Sequence, residues 1–349
     1  MSVRVGLLGF GGISKSHFRG YEQLAKENAG VELVAVCDID PEQFKKAEAI
    51  NLDTGKGKYD LSRQKLYTNV DEMLANEELD MVDICLPTYL HAEYAVKMMK
   101  AGKHVLCEKP MSLSSADCRK MIATSKETGK KLMIGQCLRF EPLYTCLKDY
   151  IDSGELGAVK YMFFDRLSGL PKWGFEGWYR DEKRSGDCPL DLHIHDVDMI
   201  RFLLGEPESV SAVTQSAVTP KQLIHSTFKY KDIPVVVATG SWLEGCKKSF
   251  EMKYRVGFER AEVVLDGGVV TVYPMDKTLN DGAPYVLELP KKNRMAEEIR
   301  YLVRSIEDAS FVNETNTPES AAATVALVEK LRMSADLGGK EIACETTAL

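Results

Sequence analysis

No stretch of this chain stays apolar long enough to cross a bilayer, which takes about 20 residues. It has no C-x-x-C pair, and the nine cysteines (Cys37, Cys85, Cys107, Cys118, Cys137, Cys146, Cys188, Cys246 and Cys344) are odd in number and scattered. That spacing suits neither a zinc ribbon nor a disulfide framework, and it fits a reducing compartment. Basic charge is in short supply: 45 Lys and Arg face 52 Asp and Glu, for a formal net charge of -7, with no basic stripe. A nucleic-acid partner is therefore not expected, nor is docking on anionic lipid. Internal repeats and low-complexity segments are absent as well. The chain opens on Val3-Arg4-Val5-Gly6-Leu7-Leu8, a strand-like run too short for a secretion signal. The expectation is a cytoplasmic protein.

What is there is an ordinary globular composition, 44% hydrophobic and 28% charged over 349 residues. That length accommodates about two domains of roughly 150 residues each. Up to Gly135, short apolar runs alternate with helical patterns: strands at 3–8, 31–37, 66–68, 81–86, 105–107 and 132–134, and helices at 13–24, 41–50, 70–74, 91–99 and 114–128. Such alternation implies a parallel sheet covered on both faces. The pattern then changes. After a helix over 142–151 come strand-like runs at 159–164, 210–217, 235–238, 250–254, 263–265, 269–272 and 286–289, with turns such as Asp266-Gly267-Gly268 between them. One helix over 190–204 interrupts this series, and two more, about 293–308 and 318–335, end it. The reading is α/β: a doubly wound parallel sheet in residues 1–137, then an α+β domain with an open, mostly antiparallel sheet in 138–349.

Gly9-Phe10-Gly11-Gly12-Ile13-Ser14 follows the first strand and opens the first helix. It fits G-x-G-x-x-[small]. Gly9 permits a tight turn, Gly11 lets a pyrophosphate approach the backbone, and Ser14 allows helix and strand to pack closely. The second strand ends at Asp38, where a carboxylate is expected on ribose hydroxyls. Asp40 is the better cap for the helix starting at Pro41, which leaves Asp38 free for that role. No arginine follows these two acids, so a 2′-phosphate would be poorly received. NAD is expected rather than NADP.

Val105-Leu106-Cys107-Glu108-Lys109-Pro110 puts a lysine just past the carboxyl end of a central strand, where ligands lie in open α/β sheets. An ammonium there can stabilise a developing alkoxide. In the helix over 190–204, Asp191, His195 and Asp198 share a flank beside the apolar stripe. The i,i+4 spacing lets Asp191 reach His195, or lets both face one ligand. A histidine oriented this way suits a general base. His193 points toward the stripe and reads as a core or cofactor-edge residue. A His-x-His pair on a helix diverges by about 200°, which is poor for sharing one ion, so no metal is expected. Trp173, Trp178 and Tyr179 precede this helix and could stack on a sugar ring or simply pack. His17 and Arg19 read as residues of the first helix's surface, and His225 has no constellation around it.

Taken in order, these residues resemble the glucose–fructose oxidoreductase/inositol dehydrogenase/rhizopine catabolism (Gfo/Idh/MocA) family. The resemblance rests on Gly9 to Ser14, Leu86-Pro87-Thr88 with His91, Glu108-Lys109-Pro110, Arg139-Phe140, Gly154-Glu155-Leu156-Gly157 and Asp191-x-x-x-His195. It implies a Rossmann domain followed by a sheet domain that forms a homodimer or homotetramer. It implies Lys109, Asp191 and His195 as the catalytic set. Cofactor contacts would come from Gly9, Phe10, Gly11, Gly12, Ile13, Asp38, Leu86, Pro87, Thr88, His91, Glu108 and Lys109. Arg139 joins Trp173, Trp178, Asp191 and His195 on the substrate side. It also suggests a cis Lys109–Pro110 bond. One departure is His193, where the family pattern has glycine; it could narrow substrate choice or touch the nicotinamide side. The implied activity is hydride transfer between nicotinamide and a carbinol carbon of a sugar, inositol or related polyol. The alternatives are a catalytically inactive ligand sensor of the same fold, and an NADPH-dependent dihydrodiol or ketone reductase.

Overall fold

The computed structural model describes residues 2–45, 59–245 and 248–344. Cys246 and the last part of the helix read over 41–50 lie outside them. Strands β1 (Val3–Leu8), β2 (Val31–Cys37), β3 (Lys65–Tyr67), β4 (Met81–Ile84), β5 (His104–Glu108) and β6 (Leu132–Gly135) form one parallel sheet, in the order β3-β2-β1-β4-β5-β6. Helices α1 (Ser14–Lys26), α2 (Val70–Asn76), α3 (His91–Lys100) and α4 (Ser115–Thr128) connect them. The central strands are mostly apolar because both faces are covered; β4 and β6 are buried at every residue, Asp83 included. Asn69 and Ser114 cap α2 and α4 through their side chains, each worth about 1 kcal/mol. Asp40 caps only a short 3-10 turn, Pro41–Phe44. The strand order reverses between β1 and β4, which opens a crevice at their carboxyl ends.

After α5 (Pro142–Ser153), β7 (Val159–Leu167) and the short α6 (Glu182–Ser185), a π-helical turn, Pro189–His193, leads into α7 (Ile194–Leu204). The strands β8 (Ser209–Gln215), β9 (Leu223–Lys229), β10 (Val235–Ser241), β11 (Glu251–Phe258), β12 (Ala261–Asp266), β13 (Val269–Pro274) and β14 (Tyr285–Val286) follow. Two helices, α8 (Arg294–Glu307) and α9 (Pro318–Asp336), precede the edge strand β15 (Ile342–Ala343). The second sheet runs β14-β13-β12-β11-β7-β10-β9-β8-β15 and is parallel only where β7 meets β10. The strand β9 has no counterpart in the sequence reading.

The chain does not stay in its second half after residue 137. Helix α8 returns to the first domain, where Ala296, Ile299, Leu302 and Val303 share a core with Val3, Phe18 and Leu24. The crossing is close: a Cβ on Gly20 would lie 3.2 Å from the Ala296 nitrogen. This packing buries the inner side of α1, and with it His17, which is fully buried rather than on the helix surface. Its ring reaches past the helix to carboxylates on β4 and β5.

Candidate active site

A cleft of about 980 Å³ lies at the carboxyl ends of β1, β4 and β5 and continues under the second sheet. Its size falls at the top of the range of about 300–1,000 Å³ for small-molecule sites. One end is built by the glycine loop. Gly9 sits at φ +89°, and a Cβ there would approach the Cys85 carbonyl oxygen to 2.6 Å, so the turn requires glycine. A Cβ on Gly11 would meet nothing within 4 Å, so this backbone faces open space at the start of α1. A helix start with an exposed backbone suits an anionic pyrophosphate. Asp38 Oδ2 accepts the Phe10 N–H at 2.6 Å and Oδ1 accepts the Asp40 N–H at 2.8 Å, which ties the loop to the end of β2. Burial pushes this carboxyl's pKa up, against those two hydrogen bonds.

At the other end, Lys109 follows β5 at a cis Lys109–Pro110 bond. Its Nζ donates to the Asp191 carbonyl oxygen at 2.7 Å and lies 3.4 Å from Asp191 Oδ1. Asp191 thus meets Lys109 and not His195, whose Nδ1 is buried without a hydrogen-bond partner. Burial holds the His195 imidazole well below its ordinary pKa, and the charges of Lys109, Arg166 and Arg294 push the same way. Aromatic rings wall this end. Trp178 stacks on Tyr179 at 3.9 Å, and Trp173 and Trp242 meet Tyr179 edge-on at 6.2 and 6.3 Å.

Most residues named from the sequence line this one cleft: Gly9, Gly11, Gly12, Ile13, Asp38, Leu86, Pro87, Thr88, Glu108, Lys109, Trp173, Trp178, Asp191 and His195. Three do not. Phe10 turns its ring into the core, edge-on to Phe18 and Tyr59. His91 is buried behind the two loops, with its ring nitrogens 2.7 and 2.8 Å from the carbonyl oxygens of Pro110 and Leu86. Arg139 is spent elsewhere: its Nη2 and Nε bond Asp198 at 2.6 and 2.8 Å, and it also donates to the Thr315 carbonyl oxygen and to Ser320 Oγ. Asp198, expected on the flank of Asp191 and His195, is the buried partner of that arginine. His193 packs against Gly240 and bonds Ser226 Oγ at 2.9 Å, so it is a core residue that does not touch the cleft.

Sequence reasoning missed Arg166, Trp242, Tyr89 and Arg294, all on the cleft wall. Arg166 is bidentate on Asp196 at 2.7 and 3.0 Å and is 2% exposed. It and Trp242 arrive together because β7 and β10 run parallel, with Ser241 beside Leu167. No local pattern announces such a pairing. Among the described residues, His17, Asp83 and Cys85 are the one group of three candidate metal ligands found close together. Both ring nitrogens of His17 are already 2.9 Å from carboxylate oxygens.

Among the described residues, no helix is long and apolar enough to cross a membrane. The chain is 35% identical over 242 residues to an inositol 2-dehydrogenase of Rhizobium meliloti. That alignment covers 69% of this chain and 66%, just under two thirds, of the relative. The fold matches an NAD-binding oxidoreductase of Klebsiella pneumoniae, with a TM-score of 0.83 at 19% identity, covering 99% of this chain and all of that one. A levoglucosan dehydrogenase solved with NADH and levoglucosan matches equally well, with a TM-score of 0.83 at 16% identity over 99% of this chain and 100% of that one. The model of the oxidoreductase family with an NAD-binding Rossmann fold matches residues 3–136, and the model of that family's C-terminal domain matches 144–270. The chain belongs to the Gfo/Idh/MocA oxidoreductase family, and its first domain is an NAD-binding Rossmann fold.

Proposed function

We propose that the protein is an NAD-dependent dehydrogenase that transfers a hydride between nicotinamide and a carbinol carbon of a sugar, inositol or related polyol. One observation carries this reading: a single cleft runs from the open backbone of Gly11 to Lys109, Asp191 and His195. The dinucleotide would lie along Gly9, Gly11, Gly12 and Asp38, with the carboxylates of Asp38 and Asp40 disfavouring a 2′-phosphate. When bound, the nicotinamide supplies the hydride acceptor or donor. Lys109 binds the reacting hydroxyl and stabilises the alkoxide as it forms. His195 is neutral at neutral pH and takes the hydroxyl proton. Asp191 holds the Lys109 ammonium in place across the domain junction. Trp173 and Trp178 offer apolar faces to the ring carbons of a sugar or cyclitol.

The division of labour follows the sheets: residues 1–137 hold the cofactor and 138–349 supply the substrate wall. The outer face of the second sheet carries exposed Val213, Val269, Tyr273 and Val286, which suits contact with another copy in a homodimer or homotetramer. The eight described cysteines are free, which suits the cytoplasm. The test is a panel of inositols, sugars, amino sugars and sugar acids with NAD+ or NADP+, read by thermal shift and by absorbance of the reduced cofactor. Turnover of a polyol with NAD+ is expected. Ligand stabilisation without turnover of any of them would favour the sensor reading, and faster turnover with NADP+ would overturn the cofactor choice.

A further inference from the structure

Behind the Glu108–Lys109 step lies a buried polar group that the reaction does not use. His17 Nδ1 is 2.9 Å from Asp83 Oδ2, and His17 Nε2 is 2.9 Å from Glu108 Oε1. A neutral imidazole has one N–H and can donate to only one of these carboxylates, so the geometry calls for the doubly protonated ring. Glu108 then has two donors to satisfy. Its Oε1 faces His17, and its Oε2 accepts the backbone N–H of Lys109 at 3.0 Å. The next residues are the lysine that reaches Asp191 and the cis proline.

The other groups around the ring are Tyr21, Cys85 and Glu298. Tyr21, one turn on along α1, donates to Asp83 Oδ2 at 2.9 Å. Cys85, after β4, lies 3.8 Å from Asp83 Oδ1, and burial pushes its thiol's pKa up, as it does that of Cys107 on β5. From α8, Glu298 is fully buried with both oxygens unpartnered, and burial, reinforced by Glu108 and opposed by the charge of His17, raises its pKa. A buried ion triad of this kind is seldom more stabilising than apolar packing would be, so stability alone is a weak reason for its presence.

We propose that His17 is a positioning residue for Lys109: by bridging Asp83 and Glu108 it fixes the carboxylate that holds the lysine's backbone. The proposal rests on the dehydrogenase reading, and one arm of its test does not. In the full chain, the acetylation rate of Lys109 by acetic anhydride is followed by mass spectrometry, relative to exposed lysines. NAD+ affinity is read from tryptophan fluorescence, and kcat is read with the polyol found in the panel. His17→Asn should change the Lys109 rate at least about threefold, because the ammonium loses its fixed place against Asp191. It should lower kcat by about ten- to a hundredfold, with NAD+ affinity kept. Tyr21→Phe, which removes a second donor to Asp83 Oδ2 and leaves both His17 contacts in place, should leave the Lys109 rate unchanged.

A His17→Asn protein that melts earlier but keeps the wild-type Lys109 rate and kcat makes His17 a structural brace and overturns the proposal. An equal effect of Tyr21→Phe overturns it too. If His17→Asn does not melt cooperatively, Glu108→Ala decides. It removes the acceptor that faces His17 and the one that holds the Lys109 N–H together, so the Lys109 rate must shift, and an unchanged rate refutes the bridge. The labelling arm needs no substrate. Absence of turnover by the wild type would therefore sink the dehydrogenase reading and still leave the positioning of Lys109 measurable.

Discussion

Replacing Arg139 by methionine separates a structural arginine from a substrate-binding one. The guanidinium is 4% exposed and is bidentate on Asp198, which is 1% exposed. Methionine keeps much of the apolar volume and removes every donor. Asp198 would then keep only the Thr324 hydroxyl, at 2.8 Å, against a buried negative charge. Breaking a buried pair on one side costs about 3–5 kcal/mol. At about 2.1 cal/mol/K per residue, 349 residues melting as one unit have an unfolding entropy near 0.7 kcal/mol/K. The melting temperature should therefore fall by roughly 4–7 °C. Adding Asp198→Asn removes the stranded charge and should recover part of that loss. Differential scanning calorimetry measures the fall, and KM for the polyol should stay within about twofold of wild type because the side chain does not reach the cleft. A melting temperature that does not move, together with a KM raised tenfold or more, would mean that the guanidinium does meet substrate and that the reasoning from its hydrogen bonds is wrong.

Three further outcomes are expected. Lys109→Ala should lower kcat by about 10²–10³, the cost of losing one donor to a developing oxyanion, with NAD+ affinity nearly unchanged; equal losses in both would make Lys109 a binding residue. Because His195 titrates well below the ordinary imidazole value, the free base is present from neutral pH down to its lowered pKa and is lost only below it. The acid limb of kcat/KM should therefore lie below pH 6.5, and a limb above pH 7 would exclude His195 as the base. Asp38→Ala strips the acceptor from the Phe10 N–H and removes charge from the ribose end, so NAD+ should bind more weakly and discrimination against NADP+ should relax; fluorescence titration with both cofactors reads this, and an unchanged ratio moves that discrimination to other residues.

The first domain was legible because its strands are buried on both faces. Unbroken apolar runs such as Leu33-Val34-Ala35-Val36-Cys37 leave little choice of structure. The glycine loop was legible because backbone chemistry alone dictates it. The strand β9 was not, and the reason is specific: its inward row is Ile224, Ser226, Phe228, and the serine breaks the alternation. That serine is there for His193, whose ring nitrogen it meets at 2.9 Å. His17 was misplaced for a related reason. A helical pattern shows only one helix, whereas the partners of this ring, Asp83 and Glu108, come from strands 66 and 91 residues away. Arg139 has the same history, paired 59 residues on. A charged residue standing alone in sequence looks free for a ligand until the fold delivers its counter-charge. The return of α8 to the first core is likewise invisible locally, since its amphipathic pattern does not say which sheet it covers.

The relation of Asp191 to His195 shows how a small irregularity decides a site. In a regular α-helix the i,i+4 spacing would bring the carboxylate beside the imidazole. The π-helical turn over Pro189–His193 changes the phase just before His195 and hands Asp191 to the other domain. Two consequences follow. The carbonyl oxygen of Asp191 becomes an acceptor for the Lys109 ammonium, so one residue of the second domain sets the position of a side chain from the first. The imidazole, without a carboxylate partner and facing three cationic side chains, is kept neutral instead of being held as an imidazolium. Neutrality is what a proton acceptor needs at the start of an oxidation, and a carboxylate at hydrogen-bond distance would work against it. π turns recur at functional sites because they trade helix regularity for a displaced side chain and an accessible carbonyl. Here that trade registers the two domains on each other at the place where the proposed chemistry would need the lysine and the histidine together.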